Sequence, residues 1–542
     1  MKHTLEGQLV DIPAQKIIPS RLIIENGVIT ERIKIDEAPN QYILPPFIDA
    51  HIHIESSMLP PGEFARMATV HGTGATVSDP HEIANVLGMA GVEYMLEEAK
   101  HSPFNFYFGA PSCVPATTFE TAGATLGVEE VRQLLERSDI NYLAEMMNWP
   151  GVIFEDEEVL AKIKAAHDLG KPVDGHAPGL KGEQAAQYAK AGISTDHECF
   201  SYEEALGKLK LGMKVLIREG SAARNYEALA PLISDHYQNL MFCSDDKHPD
   251  SLLINHINGV VSRAVKDGYD VFKVLQMACI NPKQHYSINM GECNVGDIGD
   301  LIIVDNLTDF TVKACYLAGE LVAENGNSLL PYRKANTPNA FGIGKISPEA
   351  LQIKAPQNTK CRVIEALDGE LITKELEADL PIIDGSLQPK LEDDILKIVV
   401  INRYHTAPPA VAFIKGFGLK DGAIASSVAH DCHNIVAVGT SDKAITEAIN
   451  LVISEKGGLS AWSQEKNHII GLPIAGLMSN LEGHVVAQQY TDLDLFAKEL
   501  GSTLKSPFMT LSFMALLVIP QLKLSDKGLF DGKTFTFVDL VK

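Results

Sequence analysis

Two histidines two residues apart, His51 and His53, stand in the phrase Phe47-Ile48-Asp49-Ala50-His51-Ile52-His53-Ile54-Glu55. Side chains of a strand alternate with period two, so on a strand both imidazoles share one face and can share one metal ion. Four later apolar stretches of strand length end on residues of the same chemical kind. Tyr142-Leu143-Ala144-Glu145-Met146-Met147 sets a carboxylate among apolar neighbours, Val173-Asp174-Gly175-His176 and Thr195-Asp196-His197 end in imidazole, and Phe242-Cys243-Ser244-Asp245-Asp246 ends in acids. A carboxylate in apolar surroundings is costly to bury unless something cationic compensates it. Any one of these phrases reads more simply as a cap or a surface group; their recurrence at strand ends points to one site. Four histidines and two carboxylates, with no cysteine, suit two divalent ions of intermediate softness, manganese or iron, with zinc also allowed. One carboxylate can bridge such a pair. The ions bring the pKa of bound water near neutrality, and a neighbouring carboxylate can relay its proton.

Positioning these residues requires strands that converge. Strands are predicted at 43–53, 75–79, 104–110, 140–145, 172–176, 192–197, 213–219 and 240–245, with helices between them, for example at 86–99 and 157–169. Eight such units predict a (β/α)8 barrel, whose active sites lie at the C-terminal strand ends. An open doubly wound sheet would usually carry a Gly-rich phosphate turn, and no G-x-G-x-x-G or P-loop is found. Before the barrel, Leu22-Ile23-Ile24 and Val28-Ile29 flank Asn26-Gly27, a hairpin signal. A phrase of the same style returns at Ala318-Gly319-Glu320-Leu321-Val322-Ala323-Glu324-Asn325-Gly326, after Gly299-Asp300-Leu301-Ile302-Ile303-Val304-Asp305, which reads as another strand between turn residues. Residues 1–46 and 291–335 are therefore expected to build one small β-sandwich domain around an inserted barrel at 47–290. After the linker-like Asn336-Thr337-Pro338-Asn339, mixed α and β signals run on as a C-terminal α+β domain, 336–542.

Composition bounds what such a protein does. The chain has 542 residues, 45% hydrophobic and 21% charged, and its mean hydropathy is +0.02, an ordinary globular balance that excludes disordered and disulfide-scaffold classes. The formal net charge of −24 repels phosphate backbones and anionic lipid, so neither nucleic acid nor membrane is an expected partner. The opening Met1-Lys2-His3-Thr4-Leu5-Glu6 reaches an acid before any apolar run, and the apolar stretch 508–519 stops at Pro520, short of a membrane span. A cytoplasmic protein is expected. The 8 cysteines are dispersed with no C-x-x-C pair and read as reduced core thiols.

At this point the chain resembles the amidohydrolase superfamily and, within it, the adenine deaminase family. The phrases that carry the likeness are PPFIDAHIHIESS, TVSDPHEIANVLG, LAEMMNWPGV, VDGHAPGL, TDHE and CSDD, and later SSVAHDCHNIVAVG, GLPIAGLMSN and TLSFMALLVIPQLKL. The H-x-H phrase marks the superfamily; the others are more specific, and together they span nearly the whole chain. The resemblance implies that His51 and His53 hold one metal and His176 and His197 the other, with Glu145 as bridge and Asp245 as ligand and base. Many superfamily relatives bridge with a carboxylated lysine, and no lysine stands near Glu145. It further implies hydroxide attack on C6 of adenine, proton delivery to N1 and the 6-amino group, and release of hypoxanthine and ammonia, a purine-salvage reaction with adenine and water as partners.

The proton donor is less determined. Relatives acting on nucleosides carry H-x-x-E, but Gly179 stands three residues after His176. Glu82 in Asp79-Pro80-His81-Glu82 is the first candidate, with His81 beside it; a helix start, with Asp79 as cap and Pro80 at its first position, explains the phrase equally well. His53-Ile54-Glu55 formally matches the H-x-E of cytidine-deaminase zinc sites, but the partner P-C-x-x-C is absent. Glu55 is kept as a pocket residue. Met146, Met147 and Trp149 can line a purine pocket or simply pack. His430-Asp431-Cys432-His433 can border the pocket, hold an extra metal or form a polar turn, and Cys432 lacks an identifiable activating base. Two other readings stay open: a hydrolase of another aminated heterocycle or cyclic amide, and a non-catalytic metal-binding relative. Barrels of this size often self-associate, so a homo-oligomer is allowed.

Overall fold

The computed structural model describes residues 2–355 and 359–542. Five parallel strands, Phe47–Ile52, Thr73–Ser78, Asn105–Ala110, Ile140–Met146 and Val173–Gly175, pair in sequence order. Thr195–Asp196, Lys214–Arg218 and Leu240–Cys243 form a second parallel set. Parallel bridges from Val173 to Ile193 and from Ile52 to Asp245 join the sets at both edges, so the eight strands close on themselves as a TIM-like α/β barrel. Every residue of the first two strands is buried, as expected where helices cover one face and side chains fill the other. That filling is a cluster of its own: Ile48, Ala50, Ala75, Val77, Tyr142, Ala144, Leu216, Met241 and Cys243.

Several expected elements are shorter or interrupted. The strand predicted at 43–53 is two, Tyr42–Leu44 and Phe47–Ile52; Pro45 and Pro46 between them lack the N–H that would continue a ladder. The helix predicted at 86–99 is likewise two, His81–Leu87 and Met89–Ala99, broken at Gly88 with φ 62° and ψ −140°, a conformation that glycine adopts without penalty.

Both flanks of the barrel share one sheet of eight strands, with the pairing order 327–328, 320–324, 312–317, 301–304, 42–44, 2–11, 16–25 and 28–34. The expected hairpin turns at Asn26 (φ 54°) and Gly27 (φ 83°). Rather than two separately paired layers, this is a continuous sheet that curls over a core of Leu9, Leu22, Ile24, Ile43, Leu301, Ile303 and Tyr316, bringing Val28 into a bridge with Ile298.

Beyond residue 359 a second eight-stranded sheet carries the helix Asp442–Ser454 on one face, packed through Ile445, Ile449 and Val452 against Val399, Ile401, Ala425 and Ala437. The helix Gly483–Glu499 reaches the barrel: its Gly483 N–H donates to Glu63 at 2.9 Å, and Tyr490 Oη lies 2.7 Å from His248 Nδ1. The apolar stretch at 508–519 is buried but irregular, a helix Pro507–Ser512 and a tight turn Phe513–Ala515. Among the described residues no helix is long and apolar enough to cross a membrane.

Candidate metal centre

The strand ends meet as the spacing predicts, by a route that alternation alone does not give. With Ile48 and Ala50 in the barrel filling, strict period two would send His51 and His53 to the other face. Pairing with the neighbouring strand is irregular between Asp49 and Ile52, and again between Leu143 and Met146 before the fifth strand. Such irregularities re-aim side chains, and they fall where His51, His53 and Glu145 must turn inward. The last strand then locks the first: Asp245 N–H donates to the His51 carbonyl at 2.9 Å, and His53 N–H to the Asp245 carbonyl at 3.1 Å.

Glu145 lies between two groups of imidazoles. Its Oε1 is 3.4 Å from His53 Nε2, and its Oε2 is 2.6 Å from His176 Nδ1 and 3.2 Å from His197 Nε2. Asp245 Oδ1 is 3.2 Å from His53 Nε2 and 3.8 Å from His51 Nε2. All six predicted ligands are thus together, and five of them are fully buried, with His176 slightly exposed. His53 Nδ1 faces the Asp79 carbonyl at 3.2 Å; donating there puts the proton on Nδ1 and leaves Nε2 as the lone pair aimed at the carboxylates.

The electrostatics are those of a cluster built around cations. Burial opposes ionisation of Glu145 and Asp245, yet His176 and His197 hold the first, and Arg218 and His53 the second, well below the carboxylate range. Burial would depress His53, and Asp245 and Glu145 lift it well above its ordinary value instead. His51 goes the other way, pushed down by burial and by His197, whose ring stacks on it at 4.0 Å.

Both ring nitrogens of His51 and Nε2 of His176 are buried without a hydrogen-bond partner among the described residues. Buried polar atoms are ordinarily paired, so orphans in this number call for an ion. The donor atoms of His51, His53 and Asp245, and those of His51, Glu145 and His197, lie within 4.8 Å of one another. The residues therefore fit divalent metal.

The other candidates divide. His81 Nδ1 sits 3.1 Å from Asp79 and 3.5 Å from Glu145, and its Nε2 3.7 Å from Glu82; Asp79 also accepts the His81 N–H at the start of that helix. His81, Glu82, Met147, His430 and Asp431 line one cavity with His53, Glu145, His176, His197 and Asp245, and Leu371, Phe513, Leu516, Val518 and Ile519 close it from the C-terminal unit. Four candidate pocket residues are not in this lining. Met146 is buried in the apolar core. Trp149 begins the short helix Trp149–Ile153 and packs on the apolar core. Glu55 lies behind the wall, accepting the Ile83 N–H at 3.1 Å, its carboxyl pushed up to about 7 by burial and Glu82. His433 sits behind Glu82 and bonds to it. Cys432 is buried and pushed well above the thiol range by burial and Glu120, which disfavours a thiolate.

Asp79, expected only as a helix cap, and Glu198, Arg218 and Asp246, given no role from the sequence, also stand at this site. The Arg218 guanidinium bonds both Glu198 and Asp245. Each lies within three residues of the end of a barrel strand, so the rule that found Glu145 marks them also.

The fold and this site define a metal-dependent hydrolase on an α/β barrel: residues 42–322 match the amidohydrolase family, and residues 370–536 match the adenine deaminase C-terminal domain. Adenine deaminase of Sulfurovum sp. (strain NBC37-1) is 54% identical over 99% of this chain and 99% of that protein, and adenine deaminase of Salinibacter ruber 52% identical over 99% and 98%. Among solved structures, N-acetylglucosamine-6-phosphate deacetylase from Pasteurella multocida covers 60% of this chain and 100% of its own, with TM-score 0.46 and 13% identity. The chain belongs to the adenine deaminase family.

Proposed function

We propose that this protein hydrolyses adenine to hypoxanthine and ammonia, the activity named for its full-length relatives, and that the cluster at the barrel's strand ends is where it does so. The observation that carries the assignment of the site is Glu145, whose two oxygens face different imidazole groups, the arrangement of a bridging carboxylate. In this reading His51, His53 and Asp245 hold one divalent ion and His176 and His197 a second, with manganese or iron best matched to a nitrogen and oxygen donor set. When bound, the ions supply Lewis acidity and make water nucleophilic near neutral pH.

The chain's own residues do the rest. Asp245 Oδ1 faces the cavity side of His53 and receives the proton of the attacking water, while Arg218 on its other oxygen keeps it ionised and in place. Met147, Phe513, Leu516, Val518 and Ile519 offer apolar surface to a flat heterocycle and exclude bulk water. The barrel at 47–290, the composite sheet unit at 1–46 and 291–335, and the C-terminal unit at 336–542 are the divisions we infer, and four of these five apolar residues, Phe513, Leu516, Val518 and Ile519, come from the C-terminal unit. Purine salvage is the metabolic role that fits this conversion.

The test is direct. Manganese-loaded protein incubated with adenine is expected to give the ultraviolet change to hypoxanthine with one ammonia per purine. Release of ammonia from a different aminated ring, or ring opening of a cyclic amide, with adenine untouched contradicts the assignment.

A further inference from the structure

Glu82 is buried, and both of its oxygens are taken by imidazoles from the C-terminal unit. Oε1 lies 2.5 Å from His430 Nδ1, and Oε2 is bonded to Nε2 of His433, 351 residues later in the chain. The protons can be placed. His433 Nδ1 accepts the Ala429 N–H at 3.2 Å, so its own proton is on Nε2 and is donated to Glu82. Glu82 is held ionised, because His430, His433 and His81 outweigh its burial, so it accepts from His430 Nδ1 as well.

His430 is equally constrained on its other sides. Its ring stacks on Phe513 with centroids 4.6 Å apart and planes at 9°, and its N–H donates to the Ser512 carbonyl at 3.1 Å. The residue lines the same cavity as His53, Glu145 and Asp245, and no hydrogen bond or ion pair among the described residues uses its Nε2. A carboxylate that grips one ring nitrogen and leaves the other at a cavity orients an imidazole for proton transfer. Glu82 is itself ill suited to give a proton, since both oxygens already accept one and its charge is stabilised.

We propose that His430 protonates the departing amino nitrogen of the purine, with Glu82 orienting His430 and His433 orienting Glu82; this rests on the adenine-deaminating reading of the cavity. The step balances. Water adds its oxygen to C6, and one of its protons, taken first by Asp245, ends on N1. As the C6–N bond breaks, its electron pair leaves with nitrogen, which takes the proton from His430 Nε2 and departs as ammonia. The oxygen sheds its remaining proton as the C6 carbonyl forms, and that proton restores His430. The surroundings agree: burial works against a charged ring, but Glu82 holds His430 up to about 9, while burial holds His433 down to about 4, as suits a ring that accepts from Ala429.

A leaving group that needs no proton separates this role from a structural one. 6-Chloropurine presents the same ring and loses chloride unaided. In His430→Asn loaded with manganese, kcat on adenine is expected to fall ~10²–10⁴-fold, with bound metal and KM near wild type and a much smaller loss on 6-chloropurine. His433→Gln should show the same skew, weaker. If His430→Asn does not retain metal, Glu82→Gln is read in the same way. Equal losses on both purines, or no loss on adenine, with metal retained overturns the proposal. Wild-type protein that leaves adenine unconverted overturns the reading beneath it and the proposal together.

Discussion

Two buried clusters of histidine and carboxylate begin two residues apart on one strand, and they differ in how completely they are satisfied. Asp49 accepts the Ser244 N–H at 3.0 Å and the Ser244 hydroxyl, and meets His256 Nε2 at 2.8 Å, while His256 Nδ1 pairs with the Thr73 hydroxyl at 2.8 Å. Every polar side-chain atom of Asp49 and His256 has a neighbour that suits it. At His51 neither ring nitrogen has a hydrogen-bond partner among the described residues, and the carboxylates nearby are held ionised by Arg218 and several imidazoles. Residue type and burial are the same in the two clusters. The first is a strut between the barrel and the helix Ile257–Lys266; the second leaves buried donor atoms that a metal ion could take.

The largest expected effect comes from breaking the cage. Glu145→Gln keeps the shape but removes the charge facing both imidazole groups, so bound metal and adenine turnover should fall by more than the ~10–100-fold that loss of an outer partner costs, with the melting temperature of the metal-free protein little changed. Elemental analysis and kcat on the same sample check it; a variant with full metal and full rate removes Glu145 as the bridge. Breaking the strut should do the reverse. His256→Ala leaves Asp49 and Thr73 short of a partner and is expected to cost about 3 kcal/mol of stability, read by urea unfolding, with metal content of the folded protein unchanged.

A third buried group sharpens the contrast with a smaller, pH-dependent effect. Lys523 donates to the Leu371 carbonyl at 2.6 Å and the Phe513 carbonyl at 2.9 Å, both residues of the cavity wall. It has hydrogen bonds but no counter-charge among the described residues, and burial holds it down to about 7 against an ordinary 10.5. Between those values the unfolded chain binds the proton that the folded protein refuses, so stability falls as pH drops towards 7 and levels off below. Lys523→Met removes that slope. Its melting temperature should gain on wild type at pH ~7 relative to pH ~10; a gap that is the same at both contradicts this.

Much of this was legible because strand ends repeat. The H-x-H phrase, Glu145, His176, His197 and Asp245 each follow an apolar run, and the barrel rule gathers them at one place. The same rule reached Asp79, Glu198 and Arg218 only in retrospect, since a carboxylate or arginine at a strand end is common without a ligand. The register irregularity beside His51 leaves no mark in composition, whereas the strand break at Pro45-Pro46 and the helix break at Gly88 rest on residues visible in the sequence. Least legible was the meeting of Glu82 with His430 and His433, because a contact across 351 residues depends on how the C-terminal unit docks, and local pattern carries no information about that. Trp149 misled for the opposite reason: its neighbours Glu145 and Met147 reach the cavity, and the turn capped by Asn148 on the Gly151 N–H diverts the chain before it.

Metal held by these six side chains is open to one direct test, a titration. Protein stripped by chelator is given manganese in steps, with bound metal and adenine conversion measured on each sample beside Glu145→Gln. The rate should climb in step with bound manganese and level off at two ions per chain, with the variant holding fewer. Stripped protein that converts adenine at full rate, or manganese uptake identical in the variant, would contradict it.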